Sequence, residues 1–404
     1  MSNTNSAGQP PTRVLVVGAG PVGLLAAMQL RDLGIGVRIV EEQAEESKRT
    51  YPVILHPRTI QILAALGVSA PLQWRGRPIA RLAVYADSER RAVLTLPAAG
   101  EASPGALTLP QDVLRRALLQ RLSVLGVEVE WQTRLIALEQ EGARVRAALV
   151  RRERVESQPP GRALEWLDTR SESLDVDFVI GADGVRSTVR DLLGIDWVSH
   201  GTRQMYAFYD VPDERAGDEA HLVLAAGTGN SVYPLQGNLS RFTFEVGVGL
   251  TPAPGAADLR QLLAARLPWY GADARDFEWS GCAEFWPALA SRFGEGRVWL
   301  VGDAAHSVGP LGAQSVNVGL HEARDLALRI GEQLDAASSW RLGARYSEQR
   351  RLEWQQLFGL GPSKPSVERS PDWVKRHIAQ LLPSLPAAGD DLDDLLEQLR
   401  VSSA

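Results

Sequence analysis

The segment that most restricts this chain is Gly18-Ala19-Gly20-Pro21-Val22-Gly23. It follows the β-branched run Val14–Val17 and opens an apolar stretch, Val22–Leu33, that reads as a helix; Val37–Val40 then reads as a second strand. Strand, glycine turn, helix and strand make one βαβ unit. Glycine lets the backbone turn tightly and approach a pyrophosphate, and the helix N-terminus adds free N–H groups and a partial positive charge. Gly34 stands where the helix end needs a left-handed residue. Glu41 closes the second strand, 23 residues after Gly18, where a carboxylate suits a ribose 2′-hydroxyl and disfavours a phosphate. By itself the motif does not separate NAD from FAD, and a tight turn without a ligand is its plain alternative.

The rest of the chain narrows the class. With 404 residues, 45% of them hydrophobic, it can bury a large core divided over two to three domain-sized units. A net charge of -6 gives no basic footprint for a phosphate backbone, so nucleic acid is not an expected partner. Cys282 is the only cysteine, which excludes an intrachain disulfide, a dithiol redox centre and a thiolate-rich zinc site. These features predict a cytoplasmic protein, with Met1–Pro11 a disordered tail. Val14–Leu30 is apolar, but Gly18, Gly20, Pro21 and Gly23 make it a poor membrane span.

Further along, Thr59–Leu66 and Gln111–Leu125 read as amphipathic helices, Val127–Trp131 as a strand, Arg151–Ser173 as an exposed loop or hairpin, and Phe178–Ile180 as a return to the sheet. Between about 195 and 285 the period changes to two. Phe242, Phe244 and Val246 share one strand face, with Arg241, Thr243 and Glu245 on the other, as in a half-buried antiparallel strand. The α/β pattern resumes with a strand at Arg297–Val301 and a helix at Val316–Ile330. From Leu342 the chain reads as helical to about Leu360, and an acidic helix follows around Asp390–Leu399.

Two later segments carry the cofactor assignment: Phe178–Arg190, FVIGADGVRSTVR, and Val298–Asn317, VWLVGDAAHSVGPLGAQSVN. With the glycine motif, and in the same order, they resemble the group A flavoprotein monooxygenases, the para-hydroxybenzoate hydroxylase-like aromatic hydroxylases. The resemblance runs from about Val14 to Arg351. It implies an α/β fold: a Rossmann-like FAD-binding domain with a β-rich substrate domain inserted and a helical C-terminus. The expected boundaries are 12–75 with 101–194 and 286–345 for the FAD-binding domain, 76–100 with 195–285 for the substrate domain, and 346–404 for the C-terminal helical segment.

The same likeness assigns roles. Asp303 would hold ribitol or ribose hydroxyls of FAD, Pro310 would lie beside the flavin ring, and the helix beginning near Ser315 would aim its N–H groups at the flavin's pyrimidine edge. Gly312, Ala313, Val316 and Asn317 belong to that segment. Asp183, with Gly184 and Arg190, matches a segment implicated in FAD and nicotinamide binding. Arg49 and Arg58, around His56-Pro57-Arg58-Thr59, are candidate contacts to the flavin or its phosphates, and Gln111 and Arg115 match positions that touch FAD. Two departures stand out: Ala313 and Ser315 occupy places often held by glycine, and Glu322 one usually held by Asp.

The resemblance further implies reduction of FAD by NADH or NADPH, formation of a flavin C4a-hydroperoxide with oxygen, and oxygen transfer to an aromatic or polycyclic small molecule, without a metal. A phenol or enol substrate would gain from a base or hydrogen-bond acceptor. Tyr206, Tyr209, His221, Tyr233 and Trp286 are candidate substrate-lining residues. His306, inside the Asp303 motif, is expected to be structural or flavin-adjacent. The sequence leaves open the catalytic residues, the oligomeric state, and alternatives on the same scaffold: an epoxidase, an oxidative-rearrangement enzyme, a dehydrogenase, or a non-catalytic flavin-binding partner.

Overall fold

Val14, Leu15 and Val16 are fully buried because their strand, Thr12–Val17, lies inside a six-stranded sheet. Its order is Gly294–Glu295, Val298–Leu300, Phe178–Gly181, Thr12–Val17, Gly36–Val40, Val129–Glu130. All neighbours run parallel except the first pair. A parallel sheet covered by helices needs strands apolar on both faces, as the run VLVV provides. The computed structural model describes residues 10–44, 52–68, 72, 75–98, 105–156, 164–225, 227–247, 254–270, 276–335, 343–360 and 365–401. Of the tail expected to be disordered, residues 1–9 lie outside that set.

The helix Pro21–Asp32 packs against the long helix Gln314–Asp335 and against Gln111–Val124. Gly319 permits the close crossing: a Cβ there would stand 2.9 Å from the Cα of Gly302 and 3.0 Å from Val22. Gly34 has φ +76° and ends the first helix as expected.

The inserted β-rich region is a seven-stranded sheet in the order Trp279–Phe285, Gln204–Pro212, Leu239–Val246, Thr228–Leu235, Glu219–Ala225, Arg81–Ala86, Glu89–Thr95. One face is covered by the helix Ala256–Arg266: Ala207, Tyr209, Val223, Phe242 and Phe244 pack there with Leu259 and Leu263. The polar face expected to meet solvent is buried as well, with Arg241 and Thr243 only 6% and 5% exposed. Arg241 is neutralised by a bidentate pair with Asp210, at 2.5 and 2.6 Å, and stacks on Trp279.

Of the stretch Arg151–Ser173, residues 151–156 and 164–173 lie in two paired antiparallel strands, Arg144–Glu156 and Leu164–Val176, which Thr133–Glu141 extends to three strands; 157–163 lie outside the described residues. A small sheet of Trp197–Ser199, Ala288–Ala290 and His306–Ser307 ties the start of the β-rich insertion to the segment carrying Asp303.

After Gly343–Leu357 come Pro365–Glu368, Asp372–Ser384 and Asp390–Val401. Between the break at Gly361, Pro362 and Pro365 and the acidic helix, the sequence reading placed no element over Asp372–Ser384. Pro371 sits at the N-cap and Pro383 in the last turn; the helix runs between them. Trp354, Leu381, Leu395 and Leu396 join the main core, so these helices are built into the molecule. Gln398 pairs with both backbone groups of Thr95, at 2.8 and 3.0 Å, and so covers an edge strand.

Candidate cofactor cleft and substrate cavity

Parallel strands deliver their C-terminal ends to one edge of the sheet, and the loops after them form a crevice there. Three ends matter: Val17 before the glycine motif, Gly181 before Asp183, and Leu300 before Asp303. Gly18 N–H donates to Val40 O at 2.8 Å, and Ala182 N–H to Val17 O at 2.8 Å, locking the turns together. Gly18 has φ +103° and a Cβ there would meet Ala182 O at 2.3 Å; at Gly23 it would meet Gly18 O at 2.0 Å. Gly20 differs, since a Cβ there would have nothing within 4 Å. Its hydrogen face looks into a cleft of about 840 Å³.

That cleft is lined by Gly18, Gly20, Glu41, Gln111, Arg115, Asp183 and Asp303 together, all of them anticipated from the sequence. The helix starting at Pro21 has no side-chain cap, which leaves its first N–H groups for a ligand. Glu41 Oε2 accepts Ala19 N–H at 2.8 Å and Oε1 accepts Gln43 N–H at 2.9 Å, so the carboxylate holds the turn while facing the cleft. Asp183 accepts Ser187 Oγ at 2.5 Å and Val189 N–H at 3.0 Å, tying the loop to the short helix Thr188–Leu192. Burial pushes Asp183 above the usual carboxylate range, against those hydrogen bonds. Arg190 donates to Ala304 O at 3.1 Å and Val185 O at 2.8 Å, joining the two late motifs; it is not among the cleft-lining residues.

Asp303 lines the cleft and keeps an exposed face. Desolvation raises its pKa, Glu322 adds to the rise, and His306 and a hydrogen bond with Ser315 oppose it. The serine standing where glycine was expected thus engages the cleft carboxylate. Behind Asp303, the fully buried Glu322 accepts three bonds: Gly302 N–H at 2.9 Å, His306 Nε2 at 2.8 Å and Trp354 Nε1–H at 2.9 Å. Burial alone would lift the Glu322 carboxyl; His306, Arg350 and the Gly302 amide outweigh it and hold it below its ordinary value. His306 stacks on Trp354 with ring centres 3.8 Å apart. His306 is therefore a structural partner behind the cleft.

The segment after Asp303 turns away from this cleft. Ala313 adopts φ +50°, a strained conformation for a residue with a Cβ. Asn317 is used structurally: its amide donates to Ile54 O at 2.7 Å and Ala313 O at 2.8 Å, and its oxygen accepts His56 N–H at 2.8 Å. His56, fully buried, donates through Nε2 to Gly312 O at 2.8 Å; burial lowers its pKa to about 4. Gly312 lies beneath the turn after Asp372–Ser384, where a Cβ would strike Pro383 O at 2.5 Å. Gln314 donates to Leu385 O and Ala387 O in the same turn. Pro310 and Val316 are half-buried beside these contacts, and Arg58 reaches Gly389. Pro310, Gly312, Ala313, Ser315, Val316, Asn317 and Arg58 are not among the residues lining the large cleft. Arg49 lies outside the described residues.

A second cavity, of about 240 Å³, opens between the seven-stranded sheet, the loop Val308–Leu311 and the helix Asp372–Ser384. The loop rests on the sheet: a Cβ at Gly309 would stand 2.9 Å from Tyr206 Oη, and one at Gly229 would stand 2.5 Å from Leu311. The pleat sorts the aromatic candidates. Tyr206 lines the cavity, and Tyr233, buried beside it, donates to Leu311 O at 3.1 Å. Tyr209 and His221 are corrected to the opposite face, because residues an odd number of positions apart on a strand point to opposite faces: Tyr209 stands three after Tyr206, and His221 pairs through Val232 with Phe242. Tyr209 packs edge-on against Phe244 and Phe277, and His221 against Trp269 and Tyr270. Trp286 is exposed, donating to Ser199 Oγ at 2.8 Å with Arg203 over its ring.

Sequence reading missed Trp131, Arg134, Arg152 and Arg186 in the cleft, and Gln204, Gly229, Glu245, Leu311 and Phe358 in the cavity. Arg115 lies over Trp131 at 6.0 Å, a contact no spacing rule anticipates. The cleft residues fit FAD by their chemistry: glycine-permitted access at Gly20 and uncapped helical N–H groups for a pyrophosphate, arginines beside it, carboxylates for hydroxyls, and an indole for a base.

The family model described as FAD binding domain matches residues 11–359. The chain belongs to that family. Relatives named as monooxygenases are among the proteins it matches. It is similar to 6-methylpretetramide 4-monooxygenase of Streptomyces rimosus, 28% identical over 344 residues, covering 84% of this chain and 59% of that one. Pentachlorophenol 4-monooxygenase of Sphingobium chlorophenolicum is 27% identical over 325 residues, covering 78% and 57%. The chain thus spans about three-fifths the length of these relatives. In fold it is similar to p-nitrophenol 4-monooxygenase PnpA of Pseudomonas putida DLL-E4, with a TM-score of 0.70 at 21% identity over 96% of this chain and 98% of that one. No helix among the described residues is long and apolar enough to cross a membrane.

Proposed function

We propose that this protein is an NAD(P)H- and oxygen-dependent flavoprotein monooxygenase that hydroxylates an aromatic small molecule. The observation that carries the reading is the meeting of Gly20, Asp183 and Asp303, 283 residues apart at the extremes, on one cleft whose last segment continues into a cavity against the sheet. Bound FAD would supply the redox chemistry, taking a hydride from reduced nicotinamide and activating oxygen at C4a. The protein's part is binding, orientation and exclusion of water. The Pro21 helix start and Gly20 would hold the pyrophosphate, Glu41 the adenosine ribose, and Asp303 the ribityl or ribose hydroxyls.

The buried Glu322 fixes the turn at Gly302 and with it the position of Asp303. The Pro383–Ala387 turn, anchored by Gln314, seals the far side against solvent. We assign FAD binding to 12–75, 101–194 and 286–345, the substrate face to 76–100 and 195–285, and that seal to the C-terminal helices from 346.

The test is purification with FAD, followed by NADPH and NADH oxidation with a phenol panel under labelled oxygen. One labelled oxygen atom in the product supports hydroxylation. Oxidised product without the label points to a dehydrogenase, and a protein that takes up no FAD ends the assignment.

A further inference from the structure

The 240 Å³ cavity carries a charge pattern of its own. Tyr206 and Glu245 face each other directly across neighbouring strands, and both line the cavity with Gln204 from the same face. Glu245 Oε2 accepts the Gly229 N–H at 2.9 Å, while Oε1 is reached only by Gln204 Nε2 at 3.5 Å, the outer limit of a hydrogen bond. Among the described residues Glu245 forms no ion pair, and no lysine or arginine lines the cavity. His200 is also in the wall; burial, then Arg351, lowers its pKa, so it adds no positive charge at neutral pH.

Tyr206 stays a phenol, its ionisation opposed by burial and then by Glu245, and its hydroxyl leans on Gln204 Oε1 at 3.4 Å. Val308, Leu311, Phe358, Pro287 and Pro383 supply apolar wall, and Thr202, Gln380 and Ser384 add neutral polar groups. The cavity thus mixes apolar and neutral polar walls, with one under-used carboxylate oxygen and, among the described residues, no lysine or arginine. A space of about 150 Å³ accepts a benzene ring, so about 240 Å³ holds one or two fused rings.

We propose that Glu245 is a specificity-determining residue: it selects one- or two-ring aromatics bearing a neutral O–H or N–H donor, and rejects aromatic carboxylates. The inference rests on the hydroxylase reading in one respect, that this cavity takes the acceptor substrate. The donor hydrogen-bonds to Glu245 Oε1, which orients the ring toward Val308–Leu311 and raises electron density ortho and para to the donor. A carboxylate in the same place meets a like charge with no lysine or arginine in the described wall to offset it. Arginine-lined pockets select the reverse.

The experiment uses the FAD-loaded protein and three ligands sharing one ring system: 2-naphthol, 2-methoxynaphthalene and 2-naphthoate. Binding is read from the perturbed flavin spectrum and, independently, by calorimetry. In the wild type, 2-naphthol is expected to bind at least tenfold more tightly than the ether or the acid. In Glu245→Gln, which keeps an acceptor for Gly229, 2-naphthol weakens at least fivefold and 2-naphthoate tightens at least fivefold, with FAD content unchanged. Equal affinities in the wild type overturn the proposal without any variant, as does failure of all three to bind the FAD-loaded protein, or a Gln variant with the wild-type order. A protein that binds no FAD, or whose flavin NAD(P)H does not reduce, fails the hydroxylase reading instead, and so the two failures are distinguishable.

Discussion

Replacing Glu322 with Gln is the sharpest probe of how the core supports the cleft. The carboxylate is fully buried and faces three donors: Gly302 N–H, His306 Nε2 and Trp354 Nε1–H, at 2.9, 2.8 and 2.9 Å. An amide of the same shape offers one oxygen and one NH2, so at least one of those donors then faces another donor. Hydrogen bonds to a charged acceptor contribute about 1.5–3 kcal/mol each, and breaking a buried pair costs about 3–5 kcal/mol. Relief of the buried charge offsets part of this, which leaves an expected loss of about 2–4 kcal/mol. The consequence reaches the site because Gly302 precedes Asp303: a looser turn should weaken FAD binding about fivefold or more, or about 1 kcal/mol. Urea unfolding of the FAD-free protein and fluorescence titration with FAD measure the two effects separately. A stability change under about 0.5 kcal/mol, with FAD affinity unaltered, would refute the claim that this buried carboxylate sets the cleft floor.

The two motif glycines should separate folding from binding. Gly20→Val points into open space, so it should leave the stability of the FAD-free protein within about 0.5 kcal/mol while lowering FAD affinity at least tenfold by titration. Gly18→Ala, at φ +103° and 2.3 Å from Ala182 O, should destabilise the FAD-free protein by several kcal/mol in urea; equal effects of the two changes would show that the turn is misplaced. His56 titrates at about 4 when folded against 6.5 when exposed, so the unfolded chain binds the proton first as pH falls. Stability from this group is whole above pH 6.5 and falls by about 3 kcal/mol by pH 4. Replacing His56 with Gln should flatten the pH–stability curve in that window, and an unchanged slope in equilibrium unfolding would count against its burial as a neutral ring.

The cofactor half of the molecule was legible because its chemistry is local. A glycine motif, a strand end and a helix start are consecutive in sequence, and the parallel sheet then places Gly18, Glu41, Asp183 and Asp303 at one edge without further information. The substrate half was less legible because register decides it. Alternation put Glu245 on the polar face of its strand, and only the pairing of Tyr206 with Glu245 shows that this face looks into the protein. The same pleat carries Tyr209 and His221 to the other side. The helix Asp372–Ser384 was hidden for a different reason: its prolines lie at the two positions a helix tolerates or survives, and its apolar residues acquire meaning only against a cavity contributed by distant strands.

The segment Gly302–Gln314 joins two environments that ask for opposite properties. At its start the backbone must be fixed, and Glu322 fixes it with a bond to Gly302 from a helix packed behind. Further on, Gly309 and Leu311 lie on Tyr206 and over Gly229 at distances that admit no larger residue on either side. Between that sheet and the C-terminal turn, Ala313 is held at φ +50° with His56 bonded to Gly312 and Asn317 bonded to Ala313. A conformation that an alanine resists persists only when its surroundings over-determine it. Here the surroundings are Ile54–His56, the long helix and the Leu385–Ala387 turn, three elements far apart in sequence. The strain is therefore set by the C-terminal helices as much as by the motif itself. This is why the segment before Asp303 can be read from the sequence, while the geometry after it depends on how the last helices close.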